Sequence, residues 1–306
     1  MPTFASRVNS QLARSLGVCI ARTETLRRIE NRLMASDHAR SALADRVEHL
    51  QSLRKTLTNS PVAIRRICSI GQLLRPQRAL GYRKVRLGGP HDGGYVCLDD
   101  FEGVAAALSL GLGDDVSWDS DVANRGLIVH QYDHTVAAPP AEHANFRFHR
   151  RKIAAVADDD SETIESALSR NFLTAPASVL LKIDIEHDEW AVFDATADSA
   201  LDKFSQMTCE FHGFDRVAND DWFATANSVL AKLAGKFAVV HVHANNAEPL
   251  LELGNLLFPQ LLEVTFASRA KYRFSDTDEV FPTELDSPNL ATREDYNLGN
   301  FVYPKS

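Results

Sequence analysis

Seven short apolar segments lie between residues 104 and 266, and segments with a helical pattern separate most of them. Amphipathic spacing predicts helices over residues 161–171, 189–204 and 221–233. Strands that alternate with helices form crossover units, so we expect an α/β fold with a mostly parallel sheet covered on both faces. The apolar segments predict β-strands near residues 104–112, 127–133, 146–153, 179–185, 206–212, 237–243 and 261–266.

The link between the last two predicted strands differs from the others. Residues 244–260 show no strong helical period, and such a link suits an antiparallel pair rather than a crossover. We therefore expect six parallel strands and one reversed strand. Such a sheet resembles the Rossmann-like seven-stranded sheet of the class I methyltransferases.

The N-terminal part of the chain follows a different pattern. Residues 21–57 contain neither glycine nor proline, and positions spaced alternately by three and four from Leu26 are mostly apolar. This predicts a long amphipathic helix with a coiled-coil tendency. Such a helix would support a homo-oligomer or dock a partner, or it would lie along its own globular domain.

Pro61 ends that helix, because proline cannot continue it and biases the residue before it towards extended geometry. A short second helix over residues 62–74 then leads to the main domain. We therefore expect a helical extension over residues 1–75 and the α/β domain over residues 76–306.

Composition narrows the class of protein. The formal net charge is −8, which disfavours a protein that grips a nucleic-acid backbone. The four cysteines share no metal-like spacing and indicate a reducing compartment. No apolar run reaches the roughly 18 residues of a membrane span, and the N-terminus lacks the apolar stretch of a signal peptide. We expect a soluble, cytoplasmic protein.

A glycine turn follows the first predicted strand of the main domain. The segment 105–115 (AAALSLGLGDD) contains Gly111 and Gly113, and the next apolar run ends in Asp133. Doubly wound sheets hold an adenosine with this arrangement, because glycines let the backbone approach the ligand and one acid binds the ribose. Asp114 and Asp115 would repel a pyrophosphate. The pattern therefore favours an adenosine without phosphates.

Several segments resemble the FkbM-type methyltransferases over roughly residues 80–270. The most specific is 180–186 (LLKIDIE), which is followed by Glu189 and Trp190; the chain departs from the family's usual pair of small residues at His187 and Asp188. The resemblance implies methyl transfer from S-adenosylmethionine, mostly to hydroxyl oxygens of sugars, polyketides or lipids. The other matching segments are 92–96 (DGGYV), 108–115 (LSLGLGDD), 210–212 (EFH) and 241–246 (HVHANN).

The candidate cofactor residues surround the glycine turn. We expect Asp133 to accept the ribose hydroxyls and Gly111 and Gly113 to let the backbone run close beneath the cofactor. Either Asp114 or Asp115 would bind the ammonium group of S-adenosylmethionine, while the other caps the following helix.

Two further parts of the cofactor site are expected outside that turn. The resemblance places Asp92 and Gly94 against the methionine end of the cofactor, although the paired glycines also suit a plain hairpin turn. The adenine pocket is expected after the third strand, around Ile153.

Titratable residues lie at the ends of three neighbouring predicted strands: Asp184, then Glu210 and His212, then His241 and His243. Methyl transfer to a hydroxyl needs an aligned oxygen and a base that removes its proton. We expect His212 to be that base. Asp184 would orient the acceptor hydroxyl or act as the base itself, and Glu210 belongs to the same catalytic cluster.

The same cluster admits a divalent metal. Asp184, Glu210, His212 and His243 offer suitable oxygen and nitrogen ligands. None of their spacings is a recognised metal motif, so a reaction without metal is favoured.

The sequence thus favours an S-adenosylmethionine-dependent O-methyltransferase whose acceptor is a sugar, glycan or glycolipid. Two alternatives remain. One is a sugar-nucleotide or NAD-dependent enzyme on the same sheet, against which Asp114 and Asp115 count. The other is a non-catalytic scaffold that recruits partners through its N-terminal helix.

Overall fold

A computed structural model describes residues 60–304 of the 306-residue chain. The long helix predicted over residues 21–57 lies outside the described residues. The described elements, in chain order, are α1 (Pro61–Leu73), β1 (Gln77–Ala79), β2 (Lys84–Leu87), β3 (Tyr95–Leu98), β4 (Ala106–Leu110), α2 (Ser117–Asn124), β5 (Ile128–Tyr132), β6 (Phe146–His149), β7 (Lys152–Ile153), β8 (Ser161–Glu162), α3 (Ile164–Arg170), β9 (Val179–Ile183), α4 (Glu189–Ala195), α5 (Asp198–Leu201), β10 (Phe204–Phe211), a 3₁₀ turn (Phe214–Ala218), α6 (Asp220–Lys236), β11 (Phe237–Ala244), β12 (Leu250–Leu253), β13 (Leu256–Pro259), β14 (Leu262–Ser268) and β15 (Phe274–Asp276).

The main sheet has seven strands in the order β11-β14-β10-β9-β4-β5-β6. Each neighbouring pair from β10 to β6 is parallel, whereas β14 runs antiparallel to both β10 and β11. Six strands therefore share one direction and one is reversed. The predicted α/β fold with a mostly parallel seven-stranded sheet is confirmed.

Both faces of the sheet are covered. Every residue of β4, β9, β10, β11 and β14 is buried. This explains why β4 and β9 appear as nearly continuous apolar runs rather than alternating patterns, whereas β10 and β14 also bury polar residues such as Gln206 and Glu263. Helices α1, α3, α4 and α6 contribute to the larger core, and α2 with the β2–β3 hairpin packs in a second core. None of the helices within residues 60–304 is long and apolar enough to cross a membrane.

Helix α1 begins as the sequence indicates. Pro61 occupies the first helical turn and the Ser60 side chain accepts a hydrogen bond from the Ala63 N–H, a favourable start for a helix. Ala63, Ile67 and Ile70 are fully buried in the larger core. Helix α1 therefore packs with the α/β domain.

Three predicted elements differ from the structure. The strand predicted over residues 146–153 ends at β6, and β7 pairs separately with β8. The helix predicted from residue 161 begins three residues later, because Thr163 caps it in a reciprocal pair with Ser166. The helix predicted over 189–204 is divided into α4 and α5, because Thr196 has extended backbone geometry and its hydroxyl bonds to the Val192 carbonyl.

The C-terminal strap, residues 277–304, contains an isolated β-bridge between Phe281 and Gly299. Buried histidines of β11 hold it: His241 Nε2 lies 2.8 Å from Asp286, and His243 Nε2 lies 2.9 Å from Asp295. The strap thereby packs beside the carboxyl end of β11.

The chain order creates a switch point next to β4. From β4 the chain continues to β5 and β6 on one side, then crosses to β9 on the other side. In open α/β sheets such a switch opens a crevice at the carboxyl ends of the strands, where ligands bind.

Candidate functional site

A cleft of about 440 Å³ opens at this switch point, within the size range of small-molecule sites. Of the sequence-predicted site residues, Gly94, Glu210 and His212 do not line it. The others do: Asp92, Gly111, Gly113, Asp114, Asp133, Ile153 and Asp184.

Gly111 is fixed by two requirements. Its φ is +83°, and a Cβ at this position would stand 1.7 Å from the carbonyl oxygen of Asp184. Only glycine meets both conditions. The Gly111 carbonyl accepts a hydrogen bond from Nζ of buried Lys182 at 2.7 Å, so the glycine turn and the end of β9 are held together beneath the cleft.

Asp133 holds the glycine turn from the other side. Its Oδ2 accepts hydrogen bonds from the N–H groups of Leu112 (2.8 Å) and Gly113 (3.2 Å). Its Oδ1 accepts from the N–H and the hydroxyl of Thr135, at 2.7 and 2.6 Å. Burial alone would raise the pKa of Asp133, but these hydrogen bonds outweigh it and hold the pKa below its usual value. The predicted ribose ligand is therefore also a structural part of the turn.

The two acids after the glycine turn both line the cleft. Asp115 also accepts a hydrogen bond from the N–H of Ser117 at 2.6 Å, where α2 begins. Asp114 is exposed. The assignment of one acid to the ammonium group of a cofactor stays a prediction.

The segment 88–94 is the turn of the β2–β3 hairpin. Gly93 has a φ of +82°, while a Cβ on Gly94 would meet the carbonyl oxygen of Gly89 at 2.2 Å. Gly94 is therefore required for packing within the turn and does not line the cleft, so its cofactor contact stays a prediction. Asp92 lies at the cleft and accepts a hydrogen bond from Asn289 of the C-terminal strap at 3.2 Å.

An apolar part of the wall lies at the expected adenine position. Ile153 and Tyr132 are buried and line the cleft, and the Tyr132 ring stacks on His149 with centroids 4.5 Å apart. Lys152 forms an ion pair with Asp188 across this end of the cleft.

Asp184, Glu210 and His212 converge at the ends of β9 and β10. One oxygen of each carboxylate and one ring nitrogen of His212 lie within 4.8 Å of one another, so the three side chains can hold a divalent metal ion. His243 is not part of this group, since its ring nitrogens face Glu263 and Asp295.

The two carboxyl groups of this cluster are perturbed by their surroundings. Burial raises the pKa of Asp184 to about 6, although the charges of Lys182 and His212 oppose the shift. Glu210 accepts hydrogen bonds from the Tyr95 hydroxyl (3.2 Å) and the Asn245 amide (2.8 Å). Burial and the charges of nearby acids raise the pKa of Glu210 well above its usual value.

An acidic side chain lies next to each ring nitrogen of His212. Its Nδ1 lies 3.1 Å from Oε1 of Glu189, and its Nε2 lies 3.6 Å from Oε2 of Glu186. The ring of His187 contacts it with centroids 4.9 Å apart. Burial lowers the pKa of His212, but the hydrogen bond with Glu189 and the charges of Glu189, Asp184 and Glu186 outweigh it, so the pKa is raised.

The corner that carries Glu186 and His187 has unusual backbone geometry. Both residues have positive φ values, +54° and +78°, a region that costs a non-glycine residue about 1–2 kcal/mol. The strained conformation places both side chains next to His212.

Sequence reasoning missed several residues that shape this site. Thr135 and Tyr95 bond to predicted site residues, Asn289 reaches Asp92 from the strap, and Glu189 bonds to His212. Glu189 is an acid beside an apolar run in the sequence, which was the available signal. Thr135 lies only two residues from its partner Asp133, whereas Tyr95 and Asn289 carry no local signal because their partners are distant in the chain.

No protein-family model matches the chain, and no curated protein matches its sequence. Among solved structures the chain is similar to a putative S-adenosylmethionine-dependent methyltransferase from Listeria monocytogenes, with 13% identity and a TM-score of 0.32 over 56% of this chain and 93% of that one. It is also similar to an S-adenosylmethionine-dependent methyltransferase from Mesorhizobium loti, with 14% identity and a TM-score of 0.31 over 55% and 93% of the two chains. A third similar structure is EvdMO1, with 14% identity and a TM-score of 0.30 over 55% of this chain and 38% of that one. Similarities at these TM-scores assign no function to the chain.

Proposed function

We propose that the protein is an S-adenosylmethionine-dependent O-methyltransferase that acts on a hydroxyl of a sugar, glycan or glycolipid. The observation that carries this proposal is one cleft that joins the Gly111–Asp133 turn to the Asp184 carboxylate. The first would hold a nucleoside and the second would face the reacting group.

Acidic side chains predominate in the cleft, which favours binding of a cationic ligand. S-adenosylmethionine carries a sulfonium and an ammonium group, and acidic side chains stabilise both. A pyrophosphate would instead be repelled, which disfavours the dinucleotide alternative. The acids that line the cleft are Asp92, Asp114, Asp115, Asp133, Asp184, Glu186 and Asp188, against the bases Arg151, Lys152 and Lys182.

The cleft residues have distinct roles in this proposal. Ile153 and Tyr132 hold the adenine, and Asp114 attracts the ammonium group. Asp133 binds the ribose, where one sugar hydroxyl would take the place of the Thr135 hydroxyl. Bound S-adenosylmethionine supplies an electrophilic methyl group.

His212 and Asp184 prepare the acceptor. Asp184 orients the acceptor hydroxyl beside the methyl group, and His212 removes its proton as the new C–O bond forms and the C–S bond breaks. Alignment contributes roughly 7–11 kcal/mol to such reactions, and a positioned base about 10²–10⁴-fold in rate. Glu210 supports the cluster through its contacts with Tyr95 and Asn245.

Calorimetry tests the cofactor. We expect S-adenosylhomocysteine to bind at micromolar concentration and NAD not to bind. Binding of NAD without S-adenosylhomocysteine would overturn the proposal. Incubation with methyl-labelled S-adenosylmethionine and a panel of glycans then identifies the acceptor class, and the Asp184→Asn and His212→Ala variants should lose transfer while retaining the fold.

A further inference from the structure

Glu189 is a completely buried acid in the first turn of α4. Its Oε1 accepts a hydrogen bond from the N–H of Ile185 at 3.0 Å and lies 3.1 Å from Nδ1 of His212. Burying a carboxylate is costly unless it is paired. One oxygen of Glu189 therefore contacts both the backbone N–H of Ile185, next to the strained corner, and the imidazole of His212.

The next residue of the same helix holds the main chain of His212. Trp190 donates a hydrogen bond from Nε1 to the His212 carbonyl oxygen at 2.7 Å. Two successive residues of α4 thus fix the side chain and the backbone of His212. The other ring nitrogen, Nε2, is left facing Glu186 in the cleft wall.

The second oxygen of Glu189, Oε2, is buried and has no hydrogen-bond partner within residues 60–304. Buried polar atoms are normally bonded, so packing alone does not explain a carboxylate here. A glutamine oxygen would accept the Ile185 N–H equally well. The property that only an acid supplies at this position is a negative charge opposite Nδ1 of His212.

We propose that Glu189 is the positioning residue of the site: its charge holds His212 with the proton on Nδ1 and the lone pair of Nε2 turned towards Glu186, which lines the cleft. This deepens the proposed function, on which it rests, because that lone pair would receive the acceptor's proton. A buried carboxylate that orients an imidazole in this way is a general device of base catalysis.

Two glutamates face His212 in different surroundings, and the exposed one serves as a control for the buried one. Glu189 contacts Nδ1 from α4 and is buried, whereas Glu186 approaches Nε2 from the corner and is 83% exposed. Asp184 lies within the same cluster and His187 contacts the ring. A buried charge is screened far less than an exposed one, so the two glutamates should differ in their effect.

Nitrogen-15 NMR of the imidazoles tests the proposal, with the His212→Asn variant assigning the His212 signals. In the unmodified protein we expect neutral His212 to carry its proton on Nδ1. Glu189→Gln should lower the population of the Nδ1-protonated tautomer of neutral His212, and the matched control Glu186→Gln should change that population by less than half as much. An unchanged tautomer population in Glu189→Gln, or a proton mainly on Nε2 in the unmodified protein, would overturn the assignment.

The tautomer measurement needs no variant that replaces Glu189, so the proposal stays testable if Glu189→Gln does not fold. Calorimetry with S-adenosylhomocysteine on the unmodified protein separates the two proposals. Failure of that ligand to bind would overturn the proposed function, whereas the His212 measurements decide the role of Glu189 alone.

Discussion

Gly111 and Asp184 lie in such close contact that the Asp184 carbonyl oxygen occupies the space of a side chain at position 111. The glycine turn after β4 and the end of β9 are therefore in direct van der Waals contact beneath the cleft. Any side chain at position 111 must push this turn and this strand end apart.

Gly111→Ala should therefore destabilise the fold and abolish binding of S-adenosylhomocysteine. Both the clash and the φ of +83° contribute, and we expect a loss of roughly 2–4 kcal/mol in the free energy of unfolding. Gly113→Ala is the matched control, since its φ is +58° but no atom lies within 4 Å of the added Cβ. It should cost only about 1 kcal/mol. Urea unfolding measures both, and equal losses would contradict the close-contact explanation.

Asp133→Asn should weaken S-adenosylhomocysteine binding at least about tenfold, because hydrogen bonds to a charged group contribute about 1.5–3 kcal/mol. Thr135→Ala is its control. It removes the hydroxyl that bonds to Oδ1 of Asp133 and leaves that oxygen open to the ribose, so affinity should stay within about threefold of the unmodified protein. Calorimetry decides, and unchanged binding in Asp133→Asn would remove this residue from the cofactor site.

His187→Gly should be more stable than His187→Ala by about 1 kcal/mol. Both variants remove the ring that contacts His212, but only glycine adopts the φ of +78° without strain. Glycine pays more backbone entropy on folding, which limits its advantage. Thermal unfolding of the pair measures the strain, and an alanine variant as stable as the glycine variant would show that the corner is relaxed.

The His243 contacts predict a pH dependence of stability. Burial lowers the pKa of His243, but the charges and hydrogen bonds of Glu263 and Asp295 outweigh it and raise the pKa to about 10. A folded-state pKa above the unfolded value of about 6.5 adds stability that is complete below pH 6.5 and is lost as the pH rises through 10. The stability difference between the unmodified protein and His243→Asn should therefore shrink between pH 7 and pH 10. A difference that grows over this range would contradict the ion pairs.

Much of the sheet and of the cleft could be predicted from the sequence, because β4 and β9 are largely apolar runs and β4, β5 and β9 are each followed by a glycine or an acid. Gly111, Asp133 and Asp184 were found in this way, since parallel strands bring such ends to one edge. The division of the helix at Thr196 could not be predicted, because it depends on a side-chain hydrogen bond that competes with helical geometry.

The roles of the histidines were harder to predict. His241 and His243 lie at the end of a strand as expected, but acids of the C-terminal strap engage them, and the strap has no periodic pattern that would place it there. Glu189 and His212 are 23 residues apart. Their contact depends on a corner with two left-handed residues, a geometry that residue type alone would not suggest.

Asn289 bonds to Asp92 and, at 2.6 Å, to Glu263. A residue close to the end of the chain thus clamps the hairpin turn to the reversed strand. A proteolytic nick in residues 277–304 would leave the central strands paired and yet free the turn that carries Asp92. Affinity for a ligand in the cleft would then report whether the strap is intact.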